Sequence, residues 1–323
     1  MTSMALSSKV VQAVSEIERL IGRAEGLQLT RAVPQLRKKN RIRAVQGSTG
    51  IEGNTATIAE VEAIARGEQV ALSRSEQIEV RNALQAYDSL ATFAPFSVGS
   101  LLEAHAILMG NGLLLSPGHF RQSPVEVYVS EYETRGMPRW ETVEPSVSKL
   151  FDYLRQGDDI MLLKSVRFHF EFVNIHPFPD GNGRLARLWQ TRLLMEEHPI
   201  FEFLDVESMV FQSRDEYYRC IRGVQDCGNV ERFCLFMLEQ IRRSLEQLWV
   251  SSTAVSSSFE KRIAIARETF ANRPFARQDY LRLLKTISQA TASRDLASAT
   301  AQELMVRTGE KRTATYRFAL LPL

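Results

Sequence analysis

Apolar side chains recur every three to four positions over most of this 323-residue chain. Near the N-terminus Val10, Val11, Val14, Ile17, Leu20 and Ile21 share one helical face. Ile78, Leu84, Tyr87 and Ala91 repeat the spacing in SRSEQIEVRNALQAYDSLATF, as do LLEAHAIL from Leu101 and CLFMLEQIRRSLEQLW from Cys234. Such spacing predicts amphipathic helices, and therefore a mainly α body. One stretch, PGHFRQSPVEVYVSEYETRGMPRWETVEP, breaks the period. Val125, Val127 and Val129 alternate there, and a glycine lies within Arg135–Pro138. A β-hairpin turning at 135–138, followed by a second short extended piece, is predicted. Two strands alone are marginal in water, so the hairpin is expected to lie over another surface, such as a cleft.

Past Trp249 the pattern gives way to VSSTAVSSS, which predicts a linker over 249–258. Beyond it come helical stretches in FEKRIAIARETFAN and ARQDYLRLLK, and a third helix beginning near TASRDLASATAQELM. VRTGEKRTATYRF then suggests two short strands about Gly309. Three helices and a hairpin predict a small winged helix-turn-helix domain over 259–323. The expected organisation is an N-terminal helical region at 1–95, a core at 96–248, the linker and this tail.

Composition changes this picture little. Hydrophobic residues make up 44% and charged residues 24%, which suits a chain that buries a core. No apolar run approaches the ~20 residues that span a bilayer. The N-terminal stretch carries no basic segment leading into an apolar one. A cytoplasmic protein without membrane contact is expected. Charge distribution matters more: residues 259–323 hold 12 Lys+Arg against 6 Asp+Glu, leaving 28 against 32 elsewhere, so the net +2 conceals a basic tail. Cys220, Cys227 and Cys234 lie too far apart along helices to share a metal and read as buried thiols. His105, His169, Trp140, Trp189 and Trp249 read as packing residues.

The densest chemistry lies in HPFPDGNGRLAR, His176 to Arg187. Two readings compete. In one, VRFHFEFVNI is a strand with alternating Val166, Phe168, Phe170 and Phe172, GNGRLA is a dinucleotide fingerprint, and Asp205 is its ribose-binding acid. Against it, five residues intervene before the fingerprint, Leu163, Val166, Phe170 and Val173 also fit a helix, and no βαβ repeat appears elsewhere. In the other, DGNG is a backbone nest at the start of a helix beginning near Arg184, an arrangement that binds anions. Glycines let a phosphate approach the backbone, and Asp180 offers a hard oxygen ligand to Mg²⁺. Arg184 and Arg187 share a helical face toward phosphate oxygens, Phe178 anchors the loop, and His176 is placed to accept a hydroxyl proton. Together these describe group transfer from a nucleotide. Upstream, GSTGIEGNTATIAE reads as a helix stop at Gly53-Asn54 and a capping box from Thr57 to Glu60.

HPFPDGNGRLAR resembles the signature of the Fic family, H-x-F-x-[D/E]-G-N-G-R-x-x-R, at every defining position, and the similarity extends over roughly Ala44 to Leu248. The resemblance implies a helical catalytic core at 96–248 that transfers AMP from ATP to a Ser, Thr or Tyr hydroxyl of a target protein. In that case His176 is the general base and Asp180 the ligand of Mg²⁺ or Mn²⁺. Gly181, Asn182 and Gly183 form the anion hole, and Arg184 and Arg187 hold the β- and γ-phosphates. The hairpin is similar to the family's flap, which aligns the target by β-augmentation. In RDEYYRCIRGVQ, Tyr218 and Gln225 fall on the adenosine side, although Asn is common where Gln225 stands.

GSTGIEGN also resembles the family's inhibitory motif, [S/T]-x-x-x-E-[G/A]-N, as Ser48, Glu52, Gly53 and Asn54. This implies that Glu52 pairs with Arg187 and takes the space of the γ-phosphate, with Ser48, four residues earlier, holding the carboxylate. In some relatives the same glutamate positions water for removing AMP. Two alternatives remain: transfer of another phosphate-containing group, and a DNA-binding regulator whose body senses nucleotide. In the tail, Thr291, Ser293 and Arg294, with Arg307, Lys311 and Arg312 around the wing, would suit DNA. The same module would equally suit a protein contact, including one that pairs two chains as a homodimer.

Overall fold

A computed structural model of the chain describes residues 7–26, 34–130, 133–227, 230–255, 259–284, 287–309 and 314–319. The body is helical: α1 (Ser8–Gly26), α2 (Pro34–Ile51), α3 (Ile58–Ala65), α4 (Arg74–Asp88), α5 (Val98–Met109), α6 (Val143–Gln156), α7 (Met161–Ile175), α8 (Asn182–Glu197), α9 (Val206–Gln212), α10 (Arg214–Cys227) and α11 (Val230–Val255). A hairpin of β1 (Glu126–Ser130) and β2 (Glu133–Gly136) separates α5 from α6. Two compact units emerge, Met1–Leu20 with Leu36–Leu245 and Ile21–Gln35 with Glu246–Leu323, so no break falls at the expected boundary near residue 95. Among the described residues no helix is long and apolar enough to cross a membrane.

The core of the larger unit forms around α7 and α8, where Phe168, Phe172, Leu185, Leu188 and Trp189 are fully buried. The residues that suggested a strand, Val166, Phe168, Phe170 and Phe172, all lie on α7, a helix buried on several faces that therefore shows no clean stripe. The dinucleotide reading falls with the strand. Asp205 caps α9, buried against the hydroxyls of Ser208 and Ser244.

The hairpin exists, but its turn is displaced. Glu126 pairs with Gly136 and Val127 with Arg135, so the chain reverses between Ser130 and Glu133, and Arg135 and Gly136 belong to the second strand. Gly136 marks the strand's end, and the segment after it leads through a short 3₁₀ turn into α6 instead of a further extended piece. Trp140, on that turn, is 39% exposed and lies outside the buried core. The linker prediction is corrected too: α11 runs to Val255, because serines within a helix cost only a little propensity. Residues 256–258 lie outside the described residues.

The tail holds α12 (Phe259–Phe270), β3 (Phe275–Ala276), α13 (Arg277–Leu283), α14 (Gln289–Ala301), β4 (Met305–Thr308) and β5 (Thr315–Phe318). The strands form an antiparallel sheet in the order β3-β5-β4, in which two-residue β3 was not foreseen. Ala266, Phe275, Tyr280, Leu296 and Phe318 make its core. Within that core Arg262 donates two hydrogen bonds to Asp295, which also accepts from the Tyr280 hydroxyl at 3.0 Å. Lys311 and Arg312 lie outside the described residues.

Candidate active site

The loop between α7 and α8 is fixed from several sides. His176 ends α7 in a left-handed conformation, φ 50° and ψ 60°, unusual for a residue with a side chain. Its carbonyl accepts from Nε of Arg121 at 2.7 Å. The same guanidinium donates to the carbonyls of Ser123 and Pro138, so one buried arginine ties both feet of the hairpin to the histidine. Phe178 is fully buried, as the sequence suggested, and stacks on His105 with centroids 3.6 Å apart. The Gly118 amide donates to Nδ1 of His105, which places the proton on Nε2 and lets it donate to the Asp180 carbonyl at 3.0 Å. Asn182 clips the loop shut: its Oδ1 accepts from the Phe178 amide at 3.0 Å and its Nδ2 donates to the Phe178 carbonyl at 2.8 Å. Gly181, at φ +82°, precedes α8, and a Cβ there would lie 2.6 Å from the Met109 sulfur. Helix α8 begins at Asn182, two residues before the predicted start, and its first amides have no carbonyl a turn behind them to bond.

Beside this loop lies a cavity of about 230 Å³ bounded by His176, Gly183, Glu52, Val127, Tyr217 and Tyr218. Burial lowers the His176 pKa and the charge of Arg121 adds to the effect, while a hydrogen bond to the Val173 carbonyl opposes it. The imidazole is therefore neutral near pH 7, with one nitrogen turned to Val173 and the other free to accept a proton.

Glu52 reaches this cavity from the end of α2. The Asn54 amide bonds the Thr49 carbonyl and the Gly53 amide that of Gly50, a Schellman ending in which Gly53 takes φ +102°. Glu52 thereby becomes the capping residue, and its Oε1 lies 2.7 Å from Nη2 of Arg187. The carboxylate covers Gly183 so closely that a Cβ there would collide with Oε1. Burial lowers the Arg187 pKa, but the charge and hydrogen bond of Glu52, together with Tyr217 and Tyr218, outweigh it and the pKa is raised. Ser48 does not hold the carboxylate as its spacing suggested. Its hydroxyl and carbonyl both accept from Arg187, at 3.2 and 2.9 Å, so the serine aims the arginine. The third nitrogen of Arg187, Nη1, is buried with no partner and lies 3.2 Å from where a Gly183 Cβ would be.

Arg184 is buried and engaged twice. Nη2 meets both Asp180 oxygens at 3.2 and 3.3 Å, and Nη1 meets Oε1 of Glu79 on α4 at 3.2 Å. The Asp180 side chain is 65% exposed. Among the described residues no three acidic, histidine or cysteine side chains converge as a metal cage. One exposed carboxylate beside an anion nest suits a small hard cation that takes its other ligands from phosphates and water. Tyr218 donates to the Ile51 carbonyl at 3.2 Å, and Tyr217 is buried with its hydroxyl 2.8 Å from His169 Nε2, whose other nitrogen meets Gln190 Oε1 at 2.6 Å. Gln225 belongs to α10, but its side chain lies outside the described residues. Sequence reasoning singled out none of Arg121, Glu79 and Tyr217. The first two act across large sequence separations, and Tyr217 adjoins Tyr218 in a sequence that does not distinguish the two rings.

The profile of the Fic/DOC family matches residues 95–194. Protein adenylyltransferase Fic of Nematostella vectensis is 26% identical over 227 residues, covering 66% of this chain and 50% of that protein. The Drosophila melanogaster protein of the same name is 25% identical over 267 residues, covering 76% and 51%. The chain thus spans about half the length of the curated relatives it matches. A crystal structure of a Fic family protein from Desulfovibrio desulfuricans G20 is similar with a TM-score of 0.76 and 30% identity, over 99% of this chain and 98% of that one.

Proposed function

This chain belongs to the Fic family, and on that premise we propose that it transfers AMP from ATP to a hydroxyl side chain of a target protein and is held inactive by Glu52. The triphosphate lies on the amides at the start of α8, with Arg184 and Arg187 as donors and the adenosine toward Tyr217, Tyr218 and α10. A target segment adds its backbone to the hairpin and brings its hydroxyl to His176. The hydroxyl oxygen bonds to the α-phosphorus, its proton passes to the free imidazole nitrogen, and the bond to the α–β bridging oxygen breaks as pyrophosphate leaves. Mg²⁺ or Mn²⁺ held by Asp180 and the phosphates would offset the charge developing on that leaving group.

The observation that carries the reading is the Glu52 carboxylate on Arg187, directly over Gly183. An anion already occupies the place built for one. A guanidinium bonded to it cannot also orient the γ-phosphate, and two anions in a half-buried site repel. Glu52 and His176 bound the same cavity, which supports a reverse, AMP-removing activity in which the carboxylate directs a water toward an AMP-modified side chain.

Intact-mass spectrometry of Glu52→Gly protein after incubation with Mg²⁺ and individual nucleotides tests this. An added AMP on the protein itself or on an added target, seen with ATP and absent when His176 is also changed to alanine, is the expected result. No adduct from any nucleotide overturns it, and a phosphate-sized adduct reassigns the group transferred.

The basic tail is read as a winged helix that contacts DNA. Its Arg277, Arg294 and Arg307 are exposed, and Arg277 donates to Ser293 at the start of α14 at 3.0 Å. Binding of the whole protein to duplex DNA that weakens steeply with salt is expected. Its absence leaves the tail as a protein-contact module.

A further inference from the structure

The turn that delivers Glu52 is wired to the second arginine as well. Asn54 Nδ2 donates to Oε2 of Glu79 at 2.8 Å and to the Glu76 carbonyl at 3.2 Å, while its Oδ1 accepts from the Ala56 amide at 3.0 Å. The other oxygen of Glu79, Oε1, accepts from Nη1 of Arg184 at 3.2 Å. The turn is also moored to the start of α4, where Glu76 accepts from the amide and hydroxyl of Thr55 at 3.0 and 2.6 Å. One short segment therefore sets a carboxylate on each phosphate-binding arginine, Glu52 on Arg187 directly and Glu79 on Arg184 through Asn54.

Resting on the adenylyltransferase reading, the geometry points to Glu79 as a positioning residue that forms the second half of the brake. It holds Arg184 away from the triphosphate, and Asn54 couples its release to movement of the turn. Glu52, Glu79 and Asp180 together carry one more charge than Arg184 and Arg187 can neutralise, where a still more anionic triphosphate must enter. Asp180 lies four residues from Arg184 on the same stretch and goes where it goes. Glu79 comes from another helix and shares its carboxylate with Asn54, so displacement of residues 52–54 removes one of its two partners. Removing Glu52 alone frees Arg187 and leaves Arg184 engaged.

The test compares the full-length chain as wild type, Glu52→Gly, Glu79→Gln and the double variant, with melting temperatures to confirm folding. Glutamine keeps the size of Glu79 and removes its charge. In AMP transfer the double variant is expected to show a KM for ATP roughly five-fold below that of Glu52→Gly, with kcat changed less. Calorimetric titration should show the same gain for ATP and none for AMP, which has no β- or γ-phosphate for Arg184 to meet. Asn54→Ala in the Glu52→Gly background is the second variant, expected to move the KM in the same direction by a smaller factor. An unchanged or raised KM for ATP in both overturns the proposal, because Glu79 would then be a support that aims Arg184 at the phosphates. If Glu52→Gly itself transfers no AMP, the adenylyltransferase reading fails, and the titrations of ATP against AMP still decide the role of Glu79.

Discussion

The loop from His176 to Gly183 and the turn from Glu52 to Asn54 face each other across one cavity, yet they are held very differently. The loop is fixed from inside by the paired bonds of Asn182, the stacked ring of His105 and the backbone contacts of Arg121, all on buried side chains. The turn is held by a helix ending, by Glu52 on Arg187 and by half-exposed contacts to the start of α4. A Cβ added at its Gly53 would meet nothing within 4 Å. Local stability follows buried contacts, so the turn can open while the loop keeps its shape. Under the proposed function, a rigid site beneath a removable cover is switched by moving the cover alone.

That contrast breaks most sharply at the chemistry. In the Glu52→Gly background His176→Ala is expected to lower AMP transfer by about 10²–10⁴-fold without lowering the melting temperature, measured by rate assay and thermal scan. On the loop side Asn182→Ala removes two buried hydrogen bonds and should cost roughly 2 kcal/mol of stability together with most of the activity, read from denaturant unfolding. On the cover side Gly53→Ala forces a Cβ into a left-handed conformation with open space around it. The turn should loosen by about 1 kcal/mol and transfer rise a few-fold without loss of global stability, the opposite outcome to that at Asn182.

The pH dependence separates the regions again. His169, buried behind Tyr217, is pushed down to about 3 by burial, with the Gln190 hydrogen bond opposing and the Arg187 charge adding. The unfolded chain binds that proton near pH 6.5, so its contribution to stability is complete above that value and falls away as the pH drops toward 3. The melting temperature should decline over that window, and less in His169→Gln. The acid limb of activity should fall below the ordinary histidine range, because the His176 pKa is lowered.

The part of this account that was legible in the sequence is the part whose chemistry is local. Twelve consecutive residues hold the proposed base, the glycine turn and both arginines, and GSTGIEGN holds the carboxylate that meets Arg187. Helices with a single apolar stripe were equally plain, whereas α7, buried on several faces, read as either helix or strand. The hairpin's alternation is legible but its turn is not, because the glycine that suggests a reversal, Gly136, ends the second strand, and the chain reverses after Ser130. Residues that act across the fold left no sequence signal. Arg121 lies 55 positions from His176 and Glu79 lies 105 from Arg184. Ser48 misled for the same reason, since its spacing from Glu52 suggested a local bond and the structure gives its hydroxyl to an arginine 139 positions away.

If Glu52 stands where a phosphate belongs, its removal frees an AMP transferase. Incubating wild-type and Glu52→Gly protein with ATP labelled at either the α- or the γ-phosphorus tests it directly. The account predicts strong incorporation of the α-label into protein by Glu52→Gly, roughly 100-fold less by wild type, and none of the γ-label by either. Equal α-label incorporation by the two proteins, or incorporation of the γ-label, would contradict it.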